Sequence, residues 1–404
     1  MGLVLLKFGG TSVSTVDKIG KTADQAIYEK KQGNKVIIVV SAMGKSTDKL
    51  VAMAEEISET PDKREMDMLL STGEQITIAL LAMTLKEKGH DAISLTGWQA
   101  GIETEAVHSN ARIAEIDSSR IESALDLGQI VVVAGFQGFT SDGEITTLGR
   151  GGSDTTAVAI ASALNAEKCA ICTDVVGVFT TDPRYVKNAQ KLEQITYDEM
   201  LELANLGAGV LHPRSVEYAK NFRIPLEVRA SHEKEPGTMI KEDLTMENTK
   251  VVRGIAFEDQ ITRVTIHWKQ KEAMRVSKVF TKLAENNIDV DIIIQGITGL
   301  GHGNLSFTIK TSALLATLAV LEESKELLQI EKLESEQELA KVSIVGSGMV
   351  SNPGVAAQMF EALTENNIPI KMISTSEIKV STVVSARNMV EAAQALHDQF
   401  ELDK

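Results

Sequence analysis

The 404-residue chain is poor in cysteine and in aromatics, with two cysteines, two tryptophans, four tyrosines and ten phenylalanines. Cys169 and Cys172 form a lone C-x-x-C on what reads as a buried strand, and the sequence supplies no further ligands near them for a zinc site. They are expected to be reduced, packed thiols in a cytoplasmic protein. The shortage of aromatics removes the stacking platforms on which single-stranded nucleic acids are bound. Basic residues are outnumbered, 41 Lys plus Arg against 56 Asp plus Glu, for a net charge of −15. A chain of that sign repels phosphate backbones, so nucleic acid is not an expected partner, and any nucleotide site must be locally basic. No apolar run approaches the ~20 residues that span a bilayer, residues 3–6 are too short for a signal-peptide core, and no membrane partner is expected. Met1-Gly2 lacks the Ser or Thr that myristoylation requires at position 6, where Leu6 stands. Gly44-Lys45-Ser46-Thr47 imitates the end of a P-loop, but Val39 occupies the place of that motif's first glycine. His212 has no second histidine at ligand spacing, and no protein metal site is expected.

What remains is ordinary globular composition, long enough for two or three domains of roughly 150 residues. Residues 1–240 alternate strand and helix. Strands are predicted at 3–8, 35–40, 92–95, 130–134, 168–172 and 225–229, and helices at 15–32, 64–88 and 155–164. Continuous apolar strands between helices predict a mainly parallel α/β sheet covered on both faces. The remainder holds an internal repeat: residues 278–288 match 358–368, both ending in Asn-Asn-Ile, and Val264-Thr265-Ile266 matches Val342-Ser343-Ile344. Each copy reads as a βαββα unit, which one more strand completes to a ferredoxin-like sandwich. Residues 251–257 and 329–334 are the candidate missing strands, and their positions leave open which completes which copy. The charged segment 232–250 separates the repeats from the first part.

The densest chemistry lies at Thr146-Thr147-Leu148-Gly149-Arg150-Gly151-Gly152-Ser153-Asp154-Thr155-Thr156. Glycines followed by hydroxyls and a carboxylate at the mouth of a helix make a phosphate cradle, because helix N-terminal N–H groups face the anion and no Cβ keeps it away. A second loop opens the chain, Lys7-Phe8-Gly9-Gly10-Thr11-Ser12, and a lysine there reaches β- and γ-phosphate oxygens as a point charge. Asp154 reads as a holder of Lys7 or of Mg²⁺, and Ser153 or Asp154 also as an N-cap for a helix starting at Thr155. Glu74 sits near an interruption of the 64–88 helix, and Arg150 suits a substrate carboxylate through its bidentate fork. Residues 173–184 follow a strand end, where open α/β sheets bind ligands.

Together these blocks resemble the aspartate kinases, of the bacterial lysine-pathway type with paired ACT domains. The resemblance is carried by the two glycine loops, Ser41-Ala42-Met43-Gly44, residues 66–74, Gly135-Phe136-Gln137-Gly138, residues 173–184, residues 214–219 and Ser374-Thr375-Ser376-Glu377-Ile378, in order along the whole chain. It implies an amino-acid-kinase fold over 1–240, a joining segment at 241–262, and ferredoxin-like βαββαβ ACT domains at 263–335 and 336–404. It implies ATP with Mg²⁺ as cofactors, transfer of a phosphoryl group to the side chain of L-aspartate, and a homo-oligomer joined through ACT–ACT contacts. By the same resemblance Lys7, Phe8, Gly9, Gly10, Ser12, Thr173, Asp174, Phe179, Arg184 and Val210 bind ATP. Ser41, Thr47, Glu74, Arg150, Gly151, Gly152 and Ser153 bind aspartate, Glu74 through the ammonium group, and Lys7, Arg150 and Asp154 are catalytic. Lysine, threonine or both are the implied effectors, at Asp289, Asp291, Gln295, Val355, Ala356, Asn367 and Ser376.

The chain departs from the family pattern twice. Asp174-Val175-Val176-Gly177 lacks the second acid of an Asp-x-Asp-Gly motif. The first copy's effector loop, residues 269–274, has no proline or glycine and a lysine at the acidic position, which would repel a lysine ammonium. Two other readings stand beside the main one. Another amino-acid-kinase enzyme, for glutamate or carbamate, is disfavoured by Glu74 with Arg150 and by the paired repeats. A non-catalytic amino-acid sensor with a degenerate kinase part is disfavoured by the intact Lys7, Gly9, Gly10, Arg150 and Asp154.

Overall fold

Apolar, partly β-branched runs become strands in the computed structural model, which describes residues 2–206, 210–233, 235–242, 250–268, 275–297 and 303–404. The chain divides into two units, one of Met1–Phe179, Lys191–Asn205 and Gly209–Asn248, the other of Thr180–Gln190, Leu206–Ala208 and Thr249–Lys404. The first unit holds β1 (Leu3–Phe8), β2 (Lys35–Val40), β3 (Ala92–Leu95), β4 (Ile102–Thr104), β5 (Ile113–Ile116), β6 (Ile130–Ala134), β7 (Gln137–Phe139), β8 (Ile145–Thr147), β9 (Lys168–Thr173), β10 (Gln194–Ile195), β11 (Leu226–Ala230) and β12 (Thr238–Ile240). Its main sheet runs β10-β12-β11-β9-β1-β2-β6-β3. The six strands from β11 to β3 are mutually parallel, as the sequence predicts, and β12 is antiparallel to β11.

Side chains alternate across a strand, and the two faces have different covers. Val4, Leu6 and Phe8 pack with Val36, Ile38 and Val40 against the helices Val16–Lys31 and Thr72–Glu87. Leu5 and Lys7 therefore point to the other face, where the helix Gly152–Ala163 packs on β1, β2 and β9. Strand order reverses at β1, with β2 and β6 on one side and β9 and β11 on the other. Open α/β sheets bind ligands at the carboxyl ends of strands at such a switch point. A small sheet, β5-β4-β7-β8, was not foreseen, because strands of three or four residues carry no readable periodicity.

The expected 64–88 helix is two helices, Lys63–Leu70 and Thr72–Glu87, with Ser71 between them. By length and average composition Lys63–Glu87 is apolar enough to cross a membrane, although charged and polar residues interrupt it and no long apolar run is present. Half of its most apolar stretch is buried, with Ile78, Leu81 and Leu85 in the core, as in a core helix of a folded domain, and the side chains of Asp67 and Glu74 are buried as well. Cys169 and Cys172 are free and buried on β9, and burial pushes both thiols up, Cys172 to about 12.

The second unit is one six-stranded antiparallel sheet: β13 (Gly254–Trp268), β14 (Ile293–Ile297), β15 (Gly303–Lys310), β16 (Lys332–Val345), β17 (Met372–Thr375) and β18 (Lys379–Ser385), in the order β14-β15-β13-β16-β18-β17. The repeats lie side by side, and the two long strands are shared. Residues 263–267 of β13 pair with 332–336 of β16, so the strand after the first copy completes the first copy. Residues 254–258 pair with 341–345, so the strand before the first copy completes the second. The register slips between Glu258 and Ile261, beside Gln260 in the left-handed region, with Glu338 left-handed on the partner strand. Ile255 accordingly belongs to the core of the second copy, while Ile330 and Leu333 pack in that of the first.

Residues 180–190 also belong to this unit. Thr180 accepts a backbone bond from Ile255, Val186 enters the second copy's core, and Tyr185 meets the Phe257 ring edge-on at 5.4 Å. Thr180 Oγ1 lies 2.9 Å from Nε2 of the buried His397, on the helix Met389–Gln399.

Candidate active site

Lys7 ends β1 on the face covered by the helix Gly152–Ala163, and that placement decides its partner. Its Nζ lies 2.6 Å from Oδ1 of Asp154 in the helix's first turn, with side chains only 11% and 13% exposed. The helix begins at Gly152, with left-handed Gly151 as its N-cap residue, so neither Ser153 nor Asp154 caps it. The glycines let it start three residues earlier than Thr155, which leaves the Asp154 carboxylate for the ammonium. Ser153 instead accepts a hydrogen bond from Ser41 Oγ at 3.0 Å.

The loops are stitched through the backbone. Gly44 N–H donates to the Gly10 carbonyl at 2.9 Å, and a Cβ on Gly10 would lie 2.8 Å from the carbonyl oxygen of Ala42. Ala42 and Gly44, just ahead of the Lys-Ser-Thr run, thus support the Gly9-Gly10 turn, and Thr47 faces the same cleft. Gly149 and Gly151 are left-handed, at φ of 74° and 71°, and Arg150 is exposed between them. The first N–H groups of a helix have no intrahelical partner and carry its positive dipole end, so this mouth favours an anion.

Across the cleft stands Glu74, in the first turn of Thr72–Glu87 and only 2% exposed. Its Oε1 accepts the Ala42 N–H at 3.0 Å, while Oε2 is buried with no hydrogen-bond partner. Burial pushes its carboxyl up to about 8 against the pull of that backbone bond. Gly73 permits the approach, since a Cβ there would lie 2.8 Å from the Ala42 methyl. An acid isolated this way is set for a cation.

The cleft holds about 290 Å³, between Lys7, Gly9, Gly10, Ser41, Thr47 and Glu74 on one side and Phe136 and residues 149–154 on the other. Every expected aspartate-side residue therefore meets Lys7, Gly9, Gly10 and Asp154 in one cavity. Other expected ATP residues do not line it. Phe8 is in the core, and Ser12 is buried with its hydroxyl bonded to that of Ser231. Thr173 and Asp174 sit at the carboxyl end of β9, next to β1, with Thr173 Oγ1 donating to Asp174 at 3.1 Å. Phe179 and Val210 are half-buried in the first unit. Arg184 lies in the second unit, ion-paired with Asp182 at 2.6 Å.

Of the expected effector positions, Val355 is buried and Ala356 half-buried at the start of the helix Val355–Glu365, and Asn367 is left-handed in the following turn. Asp289, Gln295 and Ser376 are exposed. Asp291 is ion-paired with the buried Lys341, which also lies 3.2 Å from Glu258. The departing loop 269–274 lies outside the described residues.

Sequence reasoning gave no role to Phe136, a left-handed residue at φ 71° whose N–H donates to Thr156 Oγ1 at 3.1 Å behind the helix mouth. It weighed His212 only as a metal ligand, whereas its side chain packs so closely on Gly151 that a Cβ there would lie 2.3 Å from the His212 Cβ and 2.4 Å from its ring Cγ. His212 caps the helix Pro213–Phe222, accepting the Arg214 N–H at 3.3 Å, and burial holds its ring below the usual histidine range. A His-Pro pair ahead of a helical run was the available signal for that cap.

Residues 2–230 match the amino acid kinase family and residues 342–400 match an ACT domain. The chain is 65% identical over 404 residues to aspartokinase 2 of Bacillus subtilis, covering all of this chain and 99% of that one. Among solved structures it resembles E. coli aspartokinase III in complex with aspartate and ADP (R-state), with TM-score 0.81 and 28% identity over 98% of this chain and 99% of that one. The same enzyme in complex with lysine and aspartate (T-state) gives a TM-score of 0.79 at 28% identity over the same shares.

Proposed function

We propose, for a chain that belongs to the amino acid kinase family and within it to the aspartokinases, that the cleft between Lys7 and Glu74 is where ATP and L-aspartate meet. The observation that carries this reading is the pairing of opposites across about 290 Å³: Lys7 held by Asp154 at the helix mouth, and a buried, half-satisfied Glu74 facing it. Glu74 takes the substrate ammonium, Arg150 its α-carboxylate, and Ser41, Thr47 and Ser153 the remaining polar atoms. The side-chain carboxylate is ionised at pH 7, since its ordinary pKa is about 4, so no general base is needed. Its oxygen attacks the γ-phosphorus, the bond to the β–γ bridging oxygen breaks, and ADP leaves with that electron pair. Catalysis is then positioning plus neutralisation of the transferring group by Lys7 and the amides of Gly151 and Ser153.

The ADP bound in the E. coli enzyme supports a nucleotide site here, for which we assign Lys7, Gly9 and Gly10 to the phosphates and Thr173, Asp174, Phe179 and Val210 to the rest. Among the described residues no group of three or more His, Cys, Asp or Glu side chains is placed to hold a metal. Mg²⁺ would be carried in with the triphosphate and held on the protein side by Asp154, in the manner of Mg²⁺ shared between one carboxylate and phosphates, and would supply positive charge to the transferring phosphate.

The repeats support control by an amino acid, and the lysine complex of the E. coli enzyme favours lysine, alone or with threonine. An effector ammonium aimed at Asp291 must compete with Lys341 for it. We also propose the division 1–240, 241–262, 263–335 and 336–404, a cytoplasmic enzyme, and a homo-oligomer joined through its ACT copies. The decisive experiment is acyl-phosphate trapping by hydroxylamine with Mg²⁺ and ATP. Aspartate gives hydroxamate, and glutamate or no amino acid gives none; the reverse pattern, or no product at all, rejects the reading. Activity unchanged at millimolar lysine, with and without threonine, rejects the effector assignment.

A further inference from the structure

We propose that Asp67 and Arg214, neither of which lines the cleft, are positioning residues that fix the height of the loop carrying Arg150. The proposal rests on the assignment of Arg150 to the substrate carboxylate. A loop built from Gly149, Gly151 and Gly152 has almost no side chains with which to hold itself, and glycine is the most conformationally permissive residue. Its position must come from its flanks, and two charged groups hold the entering flank.

The Asp67 side chain is wholly buried. It accepts the hydroxyl of Thr147 at 2.5 Å, Nδ1 of His108 at 2.9 Å, and the Ser109 N–H, which approaches its two oxygens at 3.1 and 3.0 Å. Thr147 is the last residue of β8, two before the first loop glycine. The next carbonyl, of Leu148, accepts Nη1 of Arg214 at 2.8 Å, while Nη2 donates to the Ala111 carbonyl at 2.7 Å. Ala111 N–H closes the circuit on the Thr147 carbonyl at 2.9 Å. Residues 108–111 are thus a backing strip, and a Cβ on Gly149 would lie 2.8 Å from Asn110 Oδ1 in it. Asp67 and Arg214 join that strip to residues 147 and 148 from two different helices, Lys63–Leu70 and Pro213–Phe222. Hydrogen bonds with a charged partner are roughly twice as strong as neutral ones, and a misplacement of about 1 Å in a reacting geometry costs on the order of 10²-fold in rate.

The test is steady-state kinetics on the full-length enzyme with aspartate and ATP varied separately, alongside thermal midpoints, for Asp67→Asn, Arg214→Gln, Arg214→Lys, the Asp67→Asn/Arg214→Gln double variant, and Arg150→Ala. Asp67→Asn and Arg214→Gln are expected to lower kcat/KM for aspartate about tenfold or more, with KM for ATP within about twofold. The double variant is expected to be little worse than the poorer single one, because both act through one loop. Arg214→Lys, which keeps the charge and one donor direction, should recover part of the loss. Equal losses for both substrates in proportion to lost folded protein would overturn the proposal, as would additive losses in the double variant. If Arg150→Ala raises KM for aspartate while Asp67→Asn and Arg214→Gln do not, this proposal alone fails. If Arg150→Ala leaves aspartate kinetics unchanged, the site reading fails and this proposal with it. Should Asp67→Asn not fold, Arg214→Gln decides.

Discussion

Glu74 is a carboxyl group taken out of water with one oxygen bonded and the other without a hydrogen-bond partner, and burial pushes it up to about 8. In the free protein it therefore binds a proton over a range where the unfolded chain, with its ordinary value of 4.5, has released it. Stability linked to this group is full below pH 4.5 and is lost as pH rises through 8. The thermal midpoint of Glu74→Gln should accordingly gain on that of the parent between pH 5.5 and 8.5. Arrival of the aspartate ammonium reverses the preference, since a nearby cation favours the ionised form. Calorimetry at pH 7 in two buffers of different ionisation enthalpy should show proton release on aspartate binding, absent in Glu74→Gln. Lys7 is the other decisive residue. Among the described residues, its ammonium and the Arg150 guanidinium are the cationic groups lining the cleft. Lys7→Ala is expected to lower kcat by on the order of 10³-fold, as loss of a charge aimed at a transferring group does; turnover within tenfold of normal in the hydroxamate assay would refute its role. Both residues were visible in the sequence beside glycines. The Lys7–Asp154 pair was foreseen as one of the two roles read for Asp154; the backbone bond from Ala42 to Glu74 was not, because local pattern does not bring a loop onto a helix 32 residues further along the chain.

The helix Gly152–Ala163 shows what local pattern can and cannot fix at the scale of an element. Its small apolar run announced a buried helix, but not that it starts at Gly152 instead of Thr155. That depends on left-handed Gly151 resting against His212, a tertiary fact. Gly151→Ala should thus be doubly unfavourable, with a strained backbone at φ 71° and a Cβ 2.3 Å from the His212 side chain. It is expected to lower the thermal midpoint by several degrees and kcat/KM for aspartate by tenfold or more; a variant with parental values for both would show that the loop does not need this conformation. The long parallel strands and their helices were legible because buried strands are continuous in Val, Ile and Leu, as in Lys35–Val40 and Ile130–Ala134. The sheet β5-β4-β7-β8, which delivers Thr147 to the loop, was not, because its strands are three or four residues long.

At the scale of the whole molecule, the repeat in residues 278–288 and 358–368 gave away two related modules, but their completion could not be read. Strand pairing is non-local, and 254–258 joins 341–345 across the whole first copy. Residues 180–190 carry the same lesson further. They follow β9 of the kinase sheet in sequence yet build into the regulatory unit, through Val186 in its core and Thr180 against His397. The His397 ring is buried, and burial holds it below the usual histidine range, against Asp398 and Asp403, which raise it, and with Lys250, which lowers it further. Because the folded value is depressed, the stability this histidine contributes is present above its ordinary value of 6.5 and is lost as pH falls through the folded value. Protonation would also remove the acceptor from a nitrogen now sharing a hydrogen bond with Thr180 whenever the hydroxyl is the donor. Acid should therefore loosen residues 180–190 before it loosens β6. Hydrogen exchange, corrected for the intrinsic pH dependence of amide rates, should rise in 180–190 relative to 130–134 between pH 7.5 and 5.5. The rise should be much smaller in His397→Gln, which keeps a polar side chain but cannot take up the proton. An equal rise in both proteins would mean that other titrating groups loosen this segment.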